Sequence, residues 1–399
     1  IMGFNFKVQK AVREKIAVKI ALMGPSGSGK ALTLDSNLMT PNGIIKMGDV
    51  EVGSEVFGTD GEAHKVLGVY PQGKKECYRV TFSDGSYVDC SKDHLWTVRK
   101  RGSGNNFTTM PLSELLEKKI YDNGWVYFIP MTAPVKYPKK EQKIDPYVLG
   151  VLIGDGSLTI SHALFTNSED DIVSKVESRL DNDLELHCYK YKDQIPDYAI
   201  YDVNYAKNHG NKMVSYLKEL NLIGCKSYDK FIPDNYKYGS VEQRIELLRG
   251  LIDTDGEVSG AKSKGASSVT FSTTSEKLAN DVKFIVNSLG GAANLKERKT
   301  RYTNKDGEKS EWFNSYRLYI KMPVGIIPFS SDKHYSVGYN PQTNAYRSIR
   351  SIEYLGELEC QCITVDSDDH LFLTNDFVAT HNTYSCLLYT SPSPRDRQK

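Results

Sequence analysis

The sequence predicts an all-β domain that is split in the chain by an inserted α+β domain, and three observations support this prediction. Residues 31–130 form short strand-like runs separated by Gly, Asp, Asn and Pro, a density of turn residues that favours an all-β fold. From about residue 143, longer amphipathic stretches such as SEDDIVSKVESRL predict helices. After residue 336 the short strand-like runs return, which indicates one domain placed inside another.

The composition is that of an ordinary globular protein with two or three domains. The chain has 399 residues, of which 39% are hydrophobic and 25% charged, and its formal net charge of +1 neither favours nor excludes nucleic acid binding. We expect no membrane partner, because the sequence has neither a signal-peptide pattern at its start nor an apolar run long enough to span a bilayer. Seven cysteines without zinc-ribbon spacing favour reduced thiols in a cytoplasmic, intracellular protein.

The first thirty residues contain an interrupted phosphate-binding loop. In GPSGSGK, residues 24–30, the spacing of Gly24, Gly29 and Lys30 is that of a loop that cradles the phosphates of ATP. Such a loop needs a Ser or Thr directly after the lysine to help hold Mg²⁺, but Ala31 follows here.

The missing hydroxyl is found 352 residues further along the chain. When residues 31–382 are removed, the sequence becomes GPSGSGKTYS, and Thr383 completes the loop. We therefore interpret residues 1–30 and 383–399 as flanks of one ATP-binding host protein, which would bind ATP only once the flanks are joined.

The inserted segment contains a weak internal duplication. LGVLIGDGSL and LRGLIDTDGEV each predict an apolar helix ending in Asp-Gly, followed by strands and an amphipathic helix with a Ser N-cap. Close packing of the two apolar helices at Gly150 and Gly250 would bring Asp155 and Asp255 together. Two such carboxylates repel each other unless a divalent metal ion neutralises them, and a site of this kind suits attack on a phosphodiester.

These two motifs resemble the paired helices of LAGLIDADG homing endonucleases, over residues 143–335. The resemblance implies an Mg²⁺-dependent endonuclease, active as a monomer, with Asp155 and Asp255 as metal ligands. DKFIP resembles the family segment that carries a catalytic lysine, which falls on Lys230. The implied partner is double-stranded DNA, namely the host gene without the insertion. The alternative is that the Asp-Gly pairs only end helices, and the second matching copy argues against it.

Residues 31–142 and 336–382 resemble the two parts of an intein, a segment that excises itself and joins its flanks. The matching segments are ALTLDSNLMTPNG, SKDHLW, CQCITVDSDDHLFL and VATHNT. They place the catalytic positions of the family on Ser91, His94, His370, His381, Asn382 and Thr383. The resemblance implies an all-β, horseshoe-shaped splicing domain (the Hint fold) into which the endonuclease is inserted.

The residue types at the second junction suit the chemistry of splicing. The side-chain amide of Asn382 can attack its own carbonyl carbon, which closes a succinimide and releases Thr383. A neighbouring histidine, His381 with help from His370, can donate the proton that the leaving amine needs. The hydroxyl of Thr383 can carry an ester before the final acyl shift to nitrogen.

Ala31 departs from the usual intein pattern, which begins with Cys or Ser. A methyl group cannot attack the carbonyl of Lys30, so either a native Cys was replaced or another nucleophile acts. Class 3 inteins lack the first nucleophile and carry a Trp, a Cys and a Thr at set places, which here fall on Trp96, Cys362 and Thr380.

The class 3 resemblance implies that the thiolate of Cys362 makes the first attack on Lys30, while Ser91 and His94 polarise the bond to Ala31. Trp96 would form a wall of the site, and Thr380 would support Cys362 or the departing chain. Cys360 lies two residues from Cys362 on the same strand face, and we interpret it as a packing residue.

Two other functions compete with this interpretation. A nucleotide-hydrolysing ATPase with a decorative insertion is disfavoured, because the sequence near the loop has no second strand ending in a metal-binding Asp. A signalling-type autoprocessing domain is disfavoured by Asn382 and Thr383, because those proteins pass the ester to an outside acceptor.

Overall fold

A computed structural model of the chain describes residues 30–158, 162–190, 194–205, 210–260, 267–301, 309–339 and 345–382. Gly24, Gly29 and Thr383, which the sequence assigns to the phosphate loop, lie outside the described residues. Within the described ranges, none of the helices has the length and apolar character needed to cross a membrane.

The elements follow one another in three groups along the chain. Before the insertion these are β1 (Leu32–Thr33), β2 (Asn37–Thr40), β3 (Gly43–Lys46), a 3-10 turn (Met47–Asp49), β4 (Glu55–Phe57), β5 (Ala63–Phe82), β6 (Tyr87–Ser91), β7 (Leu95–Lys100), β8 (Phe107–Pro111), α1 (Leu112–Leu116) and β9 (Tyr127–Ile129). Within the insertion they are α2 (Pro146–Gly154), β10 (Gly156–Leu158), β11 (Ala163–Thr166), α3 (Asp170–Glu177), β12 (Leu184–Tyr189), β13 (Asp197–Asp202), α4 (Lys212–Glu219), α5 (Asp234–Lys237), α6 (Val241–Asp255), β14 (Gly256–Ser259), β15 (Ser268–Thr273), α7 (Glu276–Ser288), β16 (Ala292–Thr300), β17 (Phe313–Lys321) and α8 (Asp332–Tyr335). After it come β18 (Arg347–Val365), β19 (Leu371–Thr374), a 3-10 turn (Asn375–Phe377) and β20 (Val378–His381).

The strands before and after the insertion form one mostly β domain. An eight-stranded sheet has the order β4-β5-β6-β1-β18-β9-β7-β8, and a four-stranded sheet has the order β20-β19-β2-β3. The two longest strands, β5 and β18, pair antiparallel from Ile349 opposite Phe82 to Val365 opposite Val66. Because both sheets combine strands from the two ends of the described chain, the prediction of an all-β domain split in sequence is confirmed.

The inserted domain is α+β, as predicted. It contains two four-stranded antiparallel sheets, β10-β11-β13-β12 and β14-β15-β17-β16, which belong to the first and second copy of the duplication. The apolar faces of its helices and sheets share one hydrophobic core, in which Tyr147, Phe165 and Phe271 are among the largest fully buried side chains.

The paired helices α2 and α6 are in close backbone contact at Gly150 and Gly250. A Cβ atom on either Gly150 or Gly250 would lie 3.0 Å from the Cα atom of the other, closer than packed side chains allow. Asp145 caps α2 by accepting hydrogen bonds from the next turn, and Ser240 forms a capping box with Gln243 at the start of α6. The predicted close approach of these two helices is therefore present in the structure.

The two predicted Ser caps have different outcomes. Ser275 caps α7, because its side chain accepts a hydrogen bond from the amide of Leu278 at 3.1 Å. The matching prediction for α3 is wrong: the helix begins one residue later than expected, with Glu169 at the N-cap and no side-chain cap. Asn167 accepts the amide of Glu169 instead and orders the entry to the helix.

Candidate functional site

The first predicted junction, between Lys30 and Ala31, lies directly before strand β1 in the β domain. Ala31 is fully buried, and its amide donates a hydrogen bond of 3.0 Å to the side-chain oxygen of Ser91. In return the amide of Ser91 donates to the carbonyl oxygen of Ala31 at 2.9 Å. Ser91 thus holds the N–H of the peptide bond between Lys30 and Ala31.

His94 lies just after strand β6, in a turn closed by a hydrogen bond to the carbonyl of Ser91. Its Nε2 atom is 2.5 Å from the hydroxyl oxygen of Thr380. Complete burial lowers the pKa of His94 to about 3; the charge of His381 adds to this shift and the main chain of Lys30 opposes it. His94 is therefore neutral at pH 7.

Thr380 contacts this histidine. It lies in β20, opposite Phe372 of β19, and is 1% exposed. Because His94 comes from the first half of the domain and Thr380 from the second, their contact joins the two predicted junctions.

Trp96 forms a wall beside His94. The indole is fully buried, with its ring centroid 5.5 Å from that of His94 in an edge-to-face arrangement. Phe82 of strand β5 packs on it at 5.6 Å. Large rings on this side leave the imidazole little room to turn.

Cys362, the predicted first nucleophile, is buried on β18 in a small cluster with Ala31, Cys77 and Cys360. Gln72 directs its side-chain amide to the Cys362 sulfur at 3.7 Å. Gln72 has no partner in the pairing of β5 with β18, because Cys360 lies opposite Gly73 and Gln361 lies opposite Pro71. A bulge of this kind re-aims a side chain and has no distinctive sequence pattern.

Cys360 does more than fill space, which refines its interpretation as a packing residue. Its sulfur lies 3.3 Å from that of Cys77 on β5, and both residues are buried. This contact lowers the pKa of Cys77 and raises that of Cys360. Cys77 was not identified from the sequence, because nothing in its surroundings indicates which strand β5 pairs with.

The second junction follows strand β20. Asn382 is 2% exposed; its amide donates to the carbonyl of His370 at 2.8 Å, and its side-chain nitrogen donates to the carbonyl of Val365 at 3.1 Å. Its side-chain oxygen is buried without a hydrogen-bond partner among the described residues. The side-chain nitrogen, which would make the attack, is thus held by the carbonyl of Val365 in this buried position.

His381 contacts the main chain of Asn382 at this junction. Its Nδ1 atom hydrogen-bonds with the carbonyl oxygen of Asn382, and its ring centroid lies 6.2 Å from that of His370. Burial lowers the pKa of His381, and the Asn382 carbonyl opposes the shift. Donation by Nδ1–H would polarise the carbonyl that the Asn382 side chain attacks.

The carboxylates of the inserted domain lie at the ends of the paired helices. Asp255 ends α6, and a Cβ atom on Gly154 would be 3.7 Å from its Oδ2 atom. Asp155 follows Gly154 and accepts a hydrogen bond of 2.8 Å from the side chain of Asn167. The helix pairing therefore brings the two predicted metal ligands to one place.

The electrostatics of this pair favour a cation. The Asp255 side chain opens to solvent, yet the surrounding protein limits its hydration; this effect, with repulsion from Asp155, raises its pKa to about 6. Limited hydration also raises the pKa of Asp155. Lys230 and Lys333 oppose both shifts. A divalent cation would offset the cost of ionising both carboxylates at this place. Two carboxylates are also ligands of the type that a hard divalent ion prefers.

Lys230 lies beneath the carboxylates. It is 7% exposed and donates to the carbonyl oxygens of Gly154 and Gly156, at 2.8 and 2.9 Å. Burial lowers its pKa. The predicted lysine is thus at the predicted site, while Asn167 and Lys333 join the site without having been identified from the sequence.

A cleft of about 440 Å³ opens above Asp255 and Lys230. Arg298 of β16 and Arg317 of β17 contribute to its lining, together with the hydroxyl groups of the segment 272–274. Such a mixture of cationic and hydroxyl groups suits phosphate oxygens.

Residues 242–321 match the LAGLIDADG-like domain family. The match runs from α6 to the end of β17, which is most of the second copy of the duplication. It confirms the predicted domain type for this part of the chain.

Among relatives, the replicative DNA helicase DnaB of Mycobacterium intracellulare is 26% identical over 379 residues, or 90% of this chain and 59% of that protein. The chain thus spans about three fifths of the length of this relative. The MchDnaB-1 intein structure covers 88% of this chain and 100% of its own, with 13% identity and a TM-score of 0.27. The structure of I-DmoI with DNA and Ca covers 44% and 81%, with 14% identity and a TM-score of 0.26.

Proposed function

We propose that the chain is a self-splicing precursor that excises residues 31–382 and joins Lys30 to Thr383, and that its inserted domain is a DNA endonuclease. One observation carries the splicing proposal. The amide of Ala31 and the carbonyl of Asn382, which belong to the two bonds that must break, are each held by a side chain of the same β domain. The contact between His94 and Thr380 joins the two junctions.

In the first step the thiolate of Cys362 attacks the carbonyl carbon of Lys30. A carbon–sulfur bond forms and the bond to the nitrogen of Ala31 breaks, which leaves residues 1–30 as a thioester on Cys362. Ser91 orients the leaving nitrogen. Neutral His94, which hydrogen-bonds with the main chain of Lys30, polarises this bond, and the proton that the Cys362 thiol gives up is balanced by the one that the Ala31 nitrogen takes up.

The acyl group then moves from Cys362 to the hydroxyl of Thr383, and the thiol proton is restored. The side-chain nitrogen of Asn382 loses a proton and attacks its own carbonyl carbon, which closes a succinimide, and the nitrogen of Thr383 takes up a proton as it leaves. His381 polarises the attacked carbonyl, and His370 holds the backbone of Asn382. The ester finally rearranges to a peptide bond, which needs no further protein group.

This is the class 3 order of steps, and Cys362→Ala tests it. The variant should lose both splicing and cleavage before Ala31 but keep slow cleavage after Asn382, because only the first nucleophile is removed. Cys360→Ala is the matched control on the same strand, and it should splice. If Ala31→Cys restores splicing in the Cys362→Ala variant while the parent chain never splices, Ala31 replaces a lost Cys and the class 3 assignment is wrong.

For the inserted domain, we propose double-stranded DNA as substrate and Mg²⁺ as cofactor. Asp155 and Asp255 would hold the ion, which would supply positive charge for the displacement at a phosphodiester. Lys230 would hold the helix ends that carry these ligands, and the arginines of the cleft would contact phosphates. The target would be the host gene without the insertion.

Asp155→Asn and Asp255→Asn should each abolish cleavage of a DNA fragment containing the joined Lys-Thr codons. Splicing should be retained in both variants, because both carboxylates lie outside the β domain. Cleavage that is unchanged in both variants would refute the assignment of the metal ligands.

We further propose that the flanks belong to an ATP-binding protein of the replicative helicase type, by similarity to the relative described above. Gly24, Gly29, Lys30 and Thr383 would then bind the phosphates of ATP only after splicing. Until splicing, the insertion separates Lys30 from Thr383.

A further inference from the structure

The turn formed by Asp376 and Phe377 lies where the two domains meet and directly precedes β20. Both residues have left-handed backbone conformations, with φ of 54° and 59°. Such conformations are uncommon for residues other than glycine, and for a bulky Phe they are outliers. They persist only where the surrounding contacts hold them in place.

One set of contacts comes from the β domain itself. Arg347 of β18 is 1% exposed and donates to the carbonyl oxygens of Asp376 and Phe377 at 2.7 and 2.8 Å. Its Nε–H group donates to the carboxylate of Asp84 at 2.5 Å. Arg347 thus holds the main chain of the turn from the side of the β domain.

The other set comes from the inserted domain, through helix α7. The Lys283 ammonium donates to the Asp376 carboxylate at 2.9 Å, with the two side chains 15% and 33% exposed. The next residue, Phe284, packs edge-to-face on Phe377 with 5.0 Å between ring centroids. The inserted domain thus holds both side chains of the turn.

These contacts belong to an aromatic series that crosses from one domain to the other. Phe284 also packs on Tyr238, Tyr238 on Tyr137, and Tyr137 on Phe57 of β4, with centroid separations of 5.3, 5.3 and 5.0 Å. The same cluster includes Ala379, one residue before Thr380. Strand β20 is therefore packed against the inserted domain on the face opposite His94.

We propose that Lys283 and Phe284 are positioning residues for the cleavage after Asn382, so that helix α7 of the inserted domain takes part in splicing. The inference rests on the proposed splicing function. The turn sets where β20 begins, and β20 sets where Thr380, His381 and Asn382 lie. Loss of the grip on Asp376 allows the turn to relax, and Asn382 then reaches its attack geometry less often.

The test separates the two cleavage steps in the full chain. Cleavage after Asn382 is timed in a Cys362→Ala background, and cleavage before Ala31 is timed with hydroxylamine in an Asn382→Ala background. Lys283→Met is introduced into both backgrounds. Lys277→Met is the matched control, since Lys277 lies in the same helix and stacks on Phe231, away from the turn.

We expect Lys283→Met to slow cleavage after Asn382 about fivefold or more, the effect of a single partly buried contact, and to leave hydroxylamine cleavage unchanged. Lys283→Arg should restore most of the rate, and Lys277→Met should change neither step. Phe284→Leu should slow the same step as Lys283→Met.

Equal slowing of both steps by Lys283→Met, or slowing of neither, would refute the positioning role. Absence of any cleavage after Asn382 in the Cys362→Ala parent, together with absence of splicing in the unmodified chain, would instead refute the proposed function. The inference would fall with it.

Discussion

At the scale of single residues, the carboxyl group of Asp255 would set the pH range in which the inserted domain binds the proposed metal ion. Limited hydration and repulsion from Asp155 raise its pKa to about 6. Below that pH the group is protonated and cannot act as an ionic ligand. Above it the carboxylate forms at a cost in repulsion that a divalent cation would remove.

The affinity for Mg²⁺ should therefore fall as the pH falls through 6. Between pH 7.5 and pH 5 the fall should be about tenfold, since a group with a pKa near 6 must lose a proton before it binds the ion. Isothermal titration calorimetry at the two pH values measures this change. Asp255→Asn should weaken binding and remove most of the pH dependence, whereas equal affinity at both pH values in the parent chain would contradict the assignment.

Some residues of the candidate site could be found from the sequence, and others could not. Short motifs with fixed spacing pointed to Ser91, His94 and Asn382, and the structure places each of them at one of the two proposed junctions. Gln72 and Cys77 reach the site through the pairing of β5 with β18 and the bulge in that pairing. Neither the partner of a strand nor the position of a bulge can be derived from local sequence.

At the scale of elements, the glycines of α2 and α6 determine how closely the duplicated halves approach. Leu247 and Tyr147 present main-chain carbonyl oxygens to the positions where side chains would begin at Gly150 and Gly250. The gap between the helices is filled by backbone alone. This contact places the ends of the two helices, with Asp155 and Asp255, side by side.

Gly150→Ala should destabilise the inserted domain by roughly 1–3 kcal/mol, the usual cost of overpacking, despite the higher helix propensity of alanine. Urea unfolding, in a Cys362→Ala, Asn382→Ala background that keeps the chain intact, measures this loss. Ser174→Ala on the exposed face of α3 is the control and should change stability little. Unchanged stability in Gly150→Ala would show that the helices can separate without cost.

Helix ends were the least predictable elements. A Ser precedes both amphipathic helices in the sequence, yet only Ser275 caps its helix. At α3 the side chain of Asn167 binds both the amide of Glu169 and the carboxylate of Asp155. Asn167 thus orders the chain before α3 where a Ser cap was expected.

At the scale of the whole molecule, the change from short strands to long helices and back was enough to predict a split β domain with an insertion. The pattern of turns and helix periods carries that information because each domain has its own core. The contact between the domains at Asp376 and Phe377 could not be predicted in this way. It depends on one ion pair and one ring contact between segments far apart in sequence.

Mass spectrometry of the purified, unmodified chain tests the central claim most directly. The account predicts two products: residues 31–382 ending in a succinimide at Asn382, and a peptide in which Lys30 is joined to Thr383. The second product is decisive, because hydrolysis at the two junctions would release the flanks without joining them. Recovery of only the intact chain, or of separate flanks with no Lys30–Thr383 bond, would contradict the account.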